Sequence, residues 1–355
     1  MSKGRTRQTN NIYLWKILFT YMIVAFHYPF TLSFLYERGC TWGWYIAVEF
    51  FFLVSGALIY KGIDKYQERF KSAWRFTLYR YKNIWPKYLV AFACVFTALC
   101  VTNSLSITEI GRKLLDSVLE ILMLQGIGLD RDWDYINPTL WYISILIIAG
   151  YIIYWFLANH KDVFVKIIAP ICMLIGFSYL YRYVGSLDAV VKTEGLFLNQ
   201  ALIRGFCEMC LGMYAAMLSD YIGKKISSRW WLRVIEVVLV VMVVVLSLTD
   251  GHSTNDFAFL LILFIVVAIG FIPRKYVAID GLIRSWAQIT LNIYLIHELF
   301  RTYIMGLIFP DLEFGQIHIV PSVVYFVLVT LAAILIELIW QAIRRLALFG
   351  SGHDA

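Results

Sequence analysis

Long apolar stretches, separated by short polar segments, dominate the pattern of hydrophobic and polar positions along the 355-residue chain. A stretch of about 20 apolar residues can form a helix that crosses the hydrocarbon core of a bilayer. Ten segments of roughly this length can be counted, at about 12–33, 43–62, 83–103, 139–158, 164–184, 200–218, 230–249, 256–273, 285–308 and 320–343. The pattern predicts an all-α, polytopic integral membrane protein with about ten transmembrane helices.

The composition supports this prediction. Hydrophobic residues make up 61% of the chain and charged residues 15%, and the mean hydropathy is +0.71. Soluble domains carry far more charge, and no soluble domain can be cut out of this chain. We therefore expect a cytoplasmic N-terminal tail at 1–11, one membrane domain at 12–343 and a cytoplasmic C-terminal tail at 344–355.

Basic residues indicate the orientation of the chain, because cytoplasmic loops of membrane proteins are enriched in Lys and Arg. With the N-terminus inside, 21 of the 31 basic residues fall on the cytoplasmic side, six on the outer side and four within spans. Both termini are therefore expected in the cytoplasm, and the expected location is a bacterial plasma membrane. Basic inner loops facing anionic lipid account for the net charge of +7 without a nucleic-acid partner.

Two of the connections are not merely short hairpins. The inner one, at about 61–82, carries seven basic residues among aromatic ones and predicts a helix lying at the membrane interface. The outer one, at about 102–137, has apolar residues at helical spacing and then three aspartates. Five of the six cysteines lie in apolar spans, so no disulfide framework is expected. The Cys207–Cys210 pair is interpreted as core packing rather than as a metal site.

Two ionisable residues interrupt the first apolar stretch. Lys16 and His27 are eleven positions apart, which on a helix corresponds to about three turns and ~16 Å, so both lie on one helix face at different depths. Hydrocarbon offers an ionisable group no hydrogen-bond partner, and such residues therefore usually face a polar interior. The pair indicates a reaction path perpendicular to the membrane.

The order and spacing of further residues resemble the acyltransferase 3 family of integral-membrane O-acyltransferases, over about residues 10–340. One position departs from the family pattern, because Asn83 stands where the second arginine of an Arg-x-x-Arg element is expected. The residues that carry the resemblance are Lys16 and His27; Glu49, Phe51, Phe52, Ser55 and Gly56; Arg80 and Pro86; Leu140 and Trp141; Gly212 and Met213; and Asn292, Tyr294, Leu295 and His297.

The resemblance implies acyl transfer, usually of acetyl, from cytoplasmic acyl-CoA to a hydroxyl of a cell-surface glycan or lipid-linked sugar. A neutral imidazole can take the hydroxyl proton during attack on a thioester, so His27 is the expected general base. Acetyl-CoA is the expected donor, and no metal is expected. The other candidate site residues are Glu49, which would hold His27 or the acceptor; Lys16, Arg80 and Lys82, which would meet the donor's anionic groups; and Ser55, Trp141, Tyr294 and His297.

Structural interpretations compete with several of these roles. Lys16 is close enough to the interface to extend its ammonium toward water, and Arg80 and Lys82 follow the general enrichment of inner loops in basic residues. Glu49 would equally suit a structural ion pair. His297 could be a packing residue. Arg204 and Glu208, one helical turn apart, are expected to pair with each other.

Two other functions fit the same residues. The chain could be a transporter or flippase, with His27, Glu49 and His297 on a proton or substrate path, or an acyltransferase of a different membrane superfamily. The sequence does not identify the acceptor, the hydroxyl modified, the acyl group or the oligomeric state. It also leaves open whether Asn83 weakens donor binding.

Overall fold

The protein is helical over nearly all of its regular structure. The computed structural model describes residues 8–28, 30, 43–127, 135–188, 199–226, 230–313, 315, 316 and 318–350, with side chains up to residue 344. The long helices are α1 (Ile12–His27), α2 (Ala47–Phe70), α3 (Ala73–Thr102), α6 (Trp141–Asn159), α7 (Lys161–Val184), α8 (Gln200–Lys225), α9 (Trp230–Leu246), α10 (Asp256–Gly270), α11 (Asp280–Leu299) and α13 (Ile319–Gly350).

Shorter elements connect these helices. They are α4 (Ile107–Asp116), α5 (Val118–Ile121), α12 (Met305–Ile308), single 3-10 turns at Trp44–Ile46, Gln125–Ile127 and Pro138–Leu140, and two short strands, β1 (Gln8–Thr9) and β2 (Arg274–Lys275). The strands pair antiparallel, with Gln8 opposite Lys275 and Thr9 opposite Arg274. Wider π-helical turns lie within α7 at Phe164–Ile168 and Leu180–Val184, and follow α11 at Phe300–Ile304.

The prediction of an all-α membrane protein is confirmed at the level of fold class. Each of the ten apolar segments contains a helix, and six helices of the described chain are long and apolar enough to cross a membrane: α2 with its preceding 3-10 turn, α3, α6 with its preceding turn, α7, α8 and α13. Helices α1 and α10 are apolar but shorter. The number of spans and the side on which the termini lie stay predictions.

Apolar side chains on the outer surface of the bundle fit a lipid environment. Leu174 and Ile175 on α7, Val238 on α9 and Leu335 on α13 each expose more than half of their surface. A soluble protein rarely leaves such contiguous apolar faces uncovered, whereas hydrocarbon covers them without cost.

The inner connection at 61–82 is not a separate interfacial helix, and that prediction was wrong. α2 continues to Phe70 and α3 begins at Ala73, so the basic residues extend two long helices. Lys71 ends α2 in the left-handed conformation, and the Ser72 hydroxyl caps α3 by accepting a hydrogen bond from the Arg75 backbone N–H at 3.3 Å.

The outer connection does contain the helix that its apolar spacing predicted. Ser106 and Glu109 form a capping box at the start of α4, and α5 follows directly. The three aspartates at 130–134 and Cys40 lie outside the described residues. The described cysteines, Cys207 and Cys210 among them, are free thiols.

Helices α2 and α8 cross with their backbones in close contact. A Cβ atom at Gly56 would overlap the Met209 carbonyl, and one at Gly212 would overlap the Leu53 carbonyl. The two glycines therefore let the backbones touch, as small residues do in membrane helix pairs. Around this pair, α1 packs against α2 and α11, α6 packs against α2, α3 and α8, and α13 packs against α11.

The bundle has two ends that the contacts define. At the N-terminal end, β1 pairs with β2, and the Trp15 indole N–H donates to the Glu236 carboxylate at 2.6 Å. At the other end, which we call the His27 end, the Gly43 N–H donates to the Ser247 carbonyl at 2.8 Å. The latter contact, with those of Tyr45 to Phe26 and to the His252 backbone, places the start of α2 and the turn between α9 and α10 at the end of α1 that carries His27.

Candidate active site

A cavity of about 210 Å³ lies between five helices of the bundle. Most of its wall is apolar, and among the described residues that line it only Lys16 carries a formal charge. The lining residues are Lys16, Thr20 and Ile23 of α1; Val48, Phe51, Val54, Ser55 and Leu58 of α2; Ile84 of α3; Tyr142, Ile143 and Leu146 of α6; and Thr290, Leu291 and Tyr294 of α11. Lys16, Ser55 and Tyr294, three of the predicted site residues, therefore share one cavity.

Lys16 has no carboxylate within 4.0 Å of its ammonium among the described residues. The nearby Thr20 hydroxyl does not serve it as a partner, because that hydroxyl donates to the Lys16 backbone carbonyl at 2.7 Å. A cation in an apolar wall is costly unless something binds it. The cavity is therefore suited to a ligand that brings a negative charge or carbonyl oxygens.

His27 and His297 meet at the His27 end of the bundle. Their ring centroids are 5.0 Å apart, His27 at the last residue of α1 and His297 in the last turn of α11. The Nδ1 atoms lie 2.9 Å from the Ile23 carbonyl oxygen and 2.6 Å from the Tyr294 carbonyl oxygen, respectively. Because a carbonyl oxygen only accepts, each Nδ1 carries a proton and each Nε2 presents a lone pair.

The two histidines differ in their exposure. The His297 Nε2 atom is buried and has no hydrogen-bond partner in the described structure, and His27 is partly exposed. Buried polar atoms are nearly always partnered, so an orphaned acceptor beside a second imidazole marks a position where a ligand can bind. One of the two rings is open to the surface.

Tyr294 connects the cavity to the histidine pair. Its ring lines the cavity and lies 5.7 Å from the His297 ring and 5.9 Å from the Tyr142 ring. Its hydroxyl is engaged with the Thr139 carbonyl, which fixes the ring at this position. Lys16, Ser55, Tyr294, His27 and His297 therefore lie in one region of the structure, a proximity that the sequence could not show.

Arg80 and Lys82 separate, although they are neighbours in the sequence. Arg80 lies one turn before the cavity-lining Ile84, interacts electrostatically with Tyr142, and has a buried Nη1 without a hydrogen-bond partner in the described structure. Lys82, about 200° further round the helix, is exposed. The Asn83 side chain donates to the Tyr79 carbonyl at 2.9 Å, a contact within its own helix.

Glu49 is not bonded to His27, contrary to one expectation. Its two carboxylate oxygens accept from Arg204, at 3.1 Å to Nε and by a second bond to Nη2. Glu208 lies 3.4 Å from the same Nε. All three side chains are buried, so the structural ion pair left open by the sequence is the arrangement found, and Arg204 has two acidic neighbours rather than one.

Trp141 belongs to this ion cluster rather than to the cavity wall. The Arg204 guanidinium carbon lies 5.4 Å from the centroid of its ring. The next residue, Tyr142, lines the cavity instead and was missed by the sequence reasoning, as was Thr290. An aromatic or hydroxyl residue in an apolar helix carries no local signal that separates a cavity wall from ordinary packing.

The geometry defines a helical membrane protein with a cavity between its helices, a cation in the cavity lining and two imidazoles at one end. Comparison with known proteins identifies its family: residues 10–339 match the acyltransferase 3 model, described as an acyltransferase domain. The chain therefore belongs to this family and is a membrane acyltransferase, which confirms the resemblance in its motifs. Neither the search of curated proteins nor that of solved structures found a match.

Proposed function

We propose that the protein is a membrane O-acyltransferase that moves an acyl group, acetyl in the first instance, from cytoplasmic acyl-CoA to a hydroxyl of a cell-surface or lipid-linked glycan. The observation that carries this proposal is an arrangement of three parts: Lys16 lines the cavity, Tyr294 lines the same cavity, and the Tyr294 ring lies 5.7 Å from His297 of the His27–His297 pair. It brings a cation for the donor and a base for the acceptor to opposite ends of one path.

The donor end of the path lies toward Lys16 and Arg80. Phosphates and amide carbonyls are the anionic and polar groups of an acyl-CoA, and its pantetheine arm is slender enough for a narrow apolar cavity. Lys16 lines that cavity, and Arg80 lies one turn before the lining residue Ile84, with a buried Nη1 that has no hydrogen-bond partner among the described residues. Lys82, on the exposed face of the same helix, attracts the anionic donor to the rim.

The reacting groups meet at His27. Its Nε2 takes the proton of the acceptor hydroxyl as the oxygen attacks the thioester carbonyl, and the imidazolium then returns this proton to the departing thiolate as the C–S bond breaks. The Nδ1 hydrogen bond to the Ile23 carbonyl holds the ring in the tautomer that this step needs. His297 is the neighbouring group that positions the acceptor or the base.

The remaining candidates support this arrangement. Ser55 and Tyr294 shape the cavity wall, and Glu49 and Trp141 act through Arg204 by holding α2, α6 and α8 together. With the termini in the cytoplasm of a bacterial cell, the histidine pair faces the outer side, where a cell-surface glycan is accessible. The acyl-CoA then binds from the inner side.

The proposal is tested with inverted membrane vesicles and labelled acetyl-CoA, measuring label in extracted glycan. We expect the parent to transfer label and His27→Ala to transfer it about 10²- to 10⁴-fold more slowly, because a general base contributes a factor of this size. Right-side-out vesicles should show no transfer, since acetyl-CoA does not cross the membrane to the proposed donor side.

His160→Ala is the matched control. This histidine is exposed and follows α6 at the opposite end of the bundle, so its loss removes an imidazole without touching the site. Folding of both variants is checked by thermal unfolding in detergent. A folded His27→Ala protein that transfers acetyl at the parental rate would refute the role of His27.

A further inference from the structure

A third histidine, His252, lies at the His27 end of the bundle, in the turn between α9 and α10. His252 has φ +57°, a left-handed conformation that few non-glycine residues adopt. Its backbone N–H donates to the Tyr45 hydroxyl at 2.5 Å, and that hydroxyl donates to the Asp256 carboxylate at 2.7 Å. The turn is therefore held in a strained conformation by a buried anchor, a feature that recurs at functional sites.

The anchor also fixes the partner of His252. Asp256 accepts a further hydrogen bond from the Leu187 backbone N–H at 2.7 Å, and Leu187 precedes Asp188. The Asp188 carboxylate lies 3.2 Å from His252 Nδ1. One buried carboxylate thus sets the position of both members of an aspartate–histidine pair.

This pair faces outward rather than into the core. The side chain of His252 is 51% exposed and that of Asp188 is 24% exposed, whereas Asp256 beneath them is buried. The hydrogen bond to Asp188 raises the pKa of His252 above its usual value, as does the nearby charge of Asp256. In ligand sites a small number of polar groups held in fixed positions orients the ligand, and this pair is held in that way.

The pair is continuous with the histidine site. Asp188 interacts electrostatically with His27. A chain of ring contacts also joins the two histidines: the Phe26 ring lies 5.2 Å from His27 and 5.7 Å from Tyr45, and the Tyr45 ring lies 4.9 Å from His252. The two imidazoles therefore flank one end of the bundle.

We propose that Asp188 and His252 form the acceptor-binding part of the site and hold a sugar of the glycan with its reacting hydroxyl toward His27. Vicinal sugar hydroxyls both donate and accept, which matches a carboxylate that accepts beside an imidazole whose Nε2 has no hydrogen bond to the described residues. This assignment rests on the proposed acyl transfer for its biological meaning, but the binding itself does not require the donor.

The test uses glycan extracted from cells that produce the His27→Ala protein, which supplies unmodified acceptor. We expect the glycan to raise the thermal midpoint of the purified parent and of His27→Ala, and to leave those of Asp188→Asn and His252→Asn unchanged. In transfer assays the same two variants should raise KM for the glycan about 10- to 100-fold, the loss expected for a hydrogen bond to a charged group, with KM for acetyl-CoA within twofold of the parent.

Asp311→Asn and His160→Asn are the matched controls, since both residues are exposed and lie outside this pair. An unchanged KM for acetyl-CoA shows that a variant is folded, so loss of glycan binding alone supports the assignment. Equal glycan-induced stabilisation of the parent, Asp188→Asn and His252→Asn overturns it, and so does a parent that binds no glycan. If the parent binds glycan but transfers no acetyl, the proposed function fails and the binding data still decide the role of the pair.

Discussion

Charged side chains at two places inside the bundle differ in whether an opposite charge lies near them. In the ion cluster of Glu49, Arg204 and Glu208, every charged group has an opposite charge within 4.0 Å, and all three side chains are buried. In the cavity, Lys16 has no such partner among the described residues.

The difference separates structure from function. A buried charge that is already paired has little to offer a ligand, and its removal chiefly destabilises the fold. An unpaired cation that lines a cavity remains available, and within a membrane such groups are usually retained for function. On this basis Lys16 belongs to the site and Arg204 to the scaffold.

The largest expected effect tests the scaffold. Arg204→Ala leaves two carboxylates buried together without their cation, so we expect a loss of about 3–5 kcal/mol in the free energy of unfolding. Thermal and denaturant unfolding in detergent measures it. Arg75→Ala, at an exposed position of α3, should change stability by less than about 1 kcal/mol.

The triple variant Glu49→Gln, Arg204→Met, Glu208→Gln sharpens this test, because it removes the whole set of charges rather than one partner. It should be more stable than Arg204→Ala. If Arg204→Ala were as stable as the parent, the ion cluster would not be the scaffold element described above.

A smaller loss is expected where α2 meets α8. Gly212→Ala places a methyl group against the Leu53 carbonyl and should cost about 1–3 kcal/mol in unfolding free energy, since overpacked helices must move apart. Gly223→Ala, later in the same helix and with no atom near the new methyl group, should instead be neutral or stabilising. Equal effects of the two substitutions would contradict the close crossing.

The cavity is tested by Lys16→Met, which keeps the length of the side chain and removes its charge. We expect KM for acetyl-CoA to rise about tenfold, as for the loss of one interaction with a charged group, while stability changes little. Steady-state transfer in vesicles gives the value. Lys166→Met, on an exposed pair with Asp162, is the control, and a donor KM unaffected by Lys16→Met would remove Lys16 from the donor site.

The smallest effect concerns pH. The pKa of His252 is raised in the folded protein, so protonation of this side chain stabilises the fold. The stabilisation is complete below the pKa of histidine in the unfolded chain, about 6.5. It is lost as the pH rises through the raised pKa of the folded protein. The pair is half exposed and screened, so the contribution is less than about 1 kcal/mol. Thermal midpoints between pH 5 and 9 should fall more for the parent than for His252→Asn. If the thermal midpoints of the two proteins changed equally with pH, the stabilising contribution of His252 would be contradicted.

Much of the architecture was predictable from the chain alone. Helical segments follow from runs of apolar residues, because the backbone in hydrocarbon must satisfy its own hydrogen bonds. The eleven-residue spacing placed Lys16 and His27 on one face of α1, and the structure shows Lys16 in the cavity and His27 at the histidine pair. The order and spacing of the motifs along the chain identified the acyltransferase 3 family.

Contacts between helices were not predictable in the same way. The chain suggested Glu208 as the partner of Arg204 because the two are one turn apart, yet the shorter contacts are to Glu49 on another helix. Arg80 and Lys82 looked equivalent, and only the packing of α3 against α6 encloses one and exposes the other.

The sequence by itself determined the helices, the faces on which their polar residues lie and the family to which the chain belongs, because these depend on spacing within one segment. The tertiary structure alone decided which charges are paired, which line the cavity, and that Asp188 and His252 lie at the same end of the bundle as His27. Those outcomes depend on which faces meet, and that is set by the packing of all the helices together rather than by the period of any one of them.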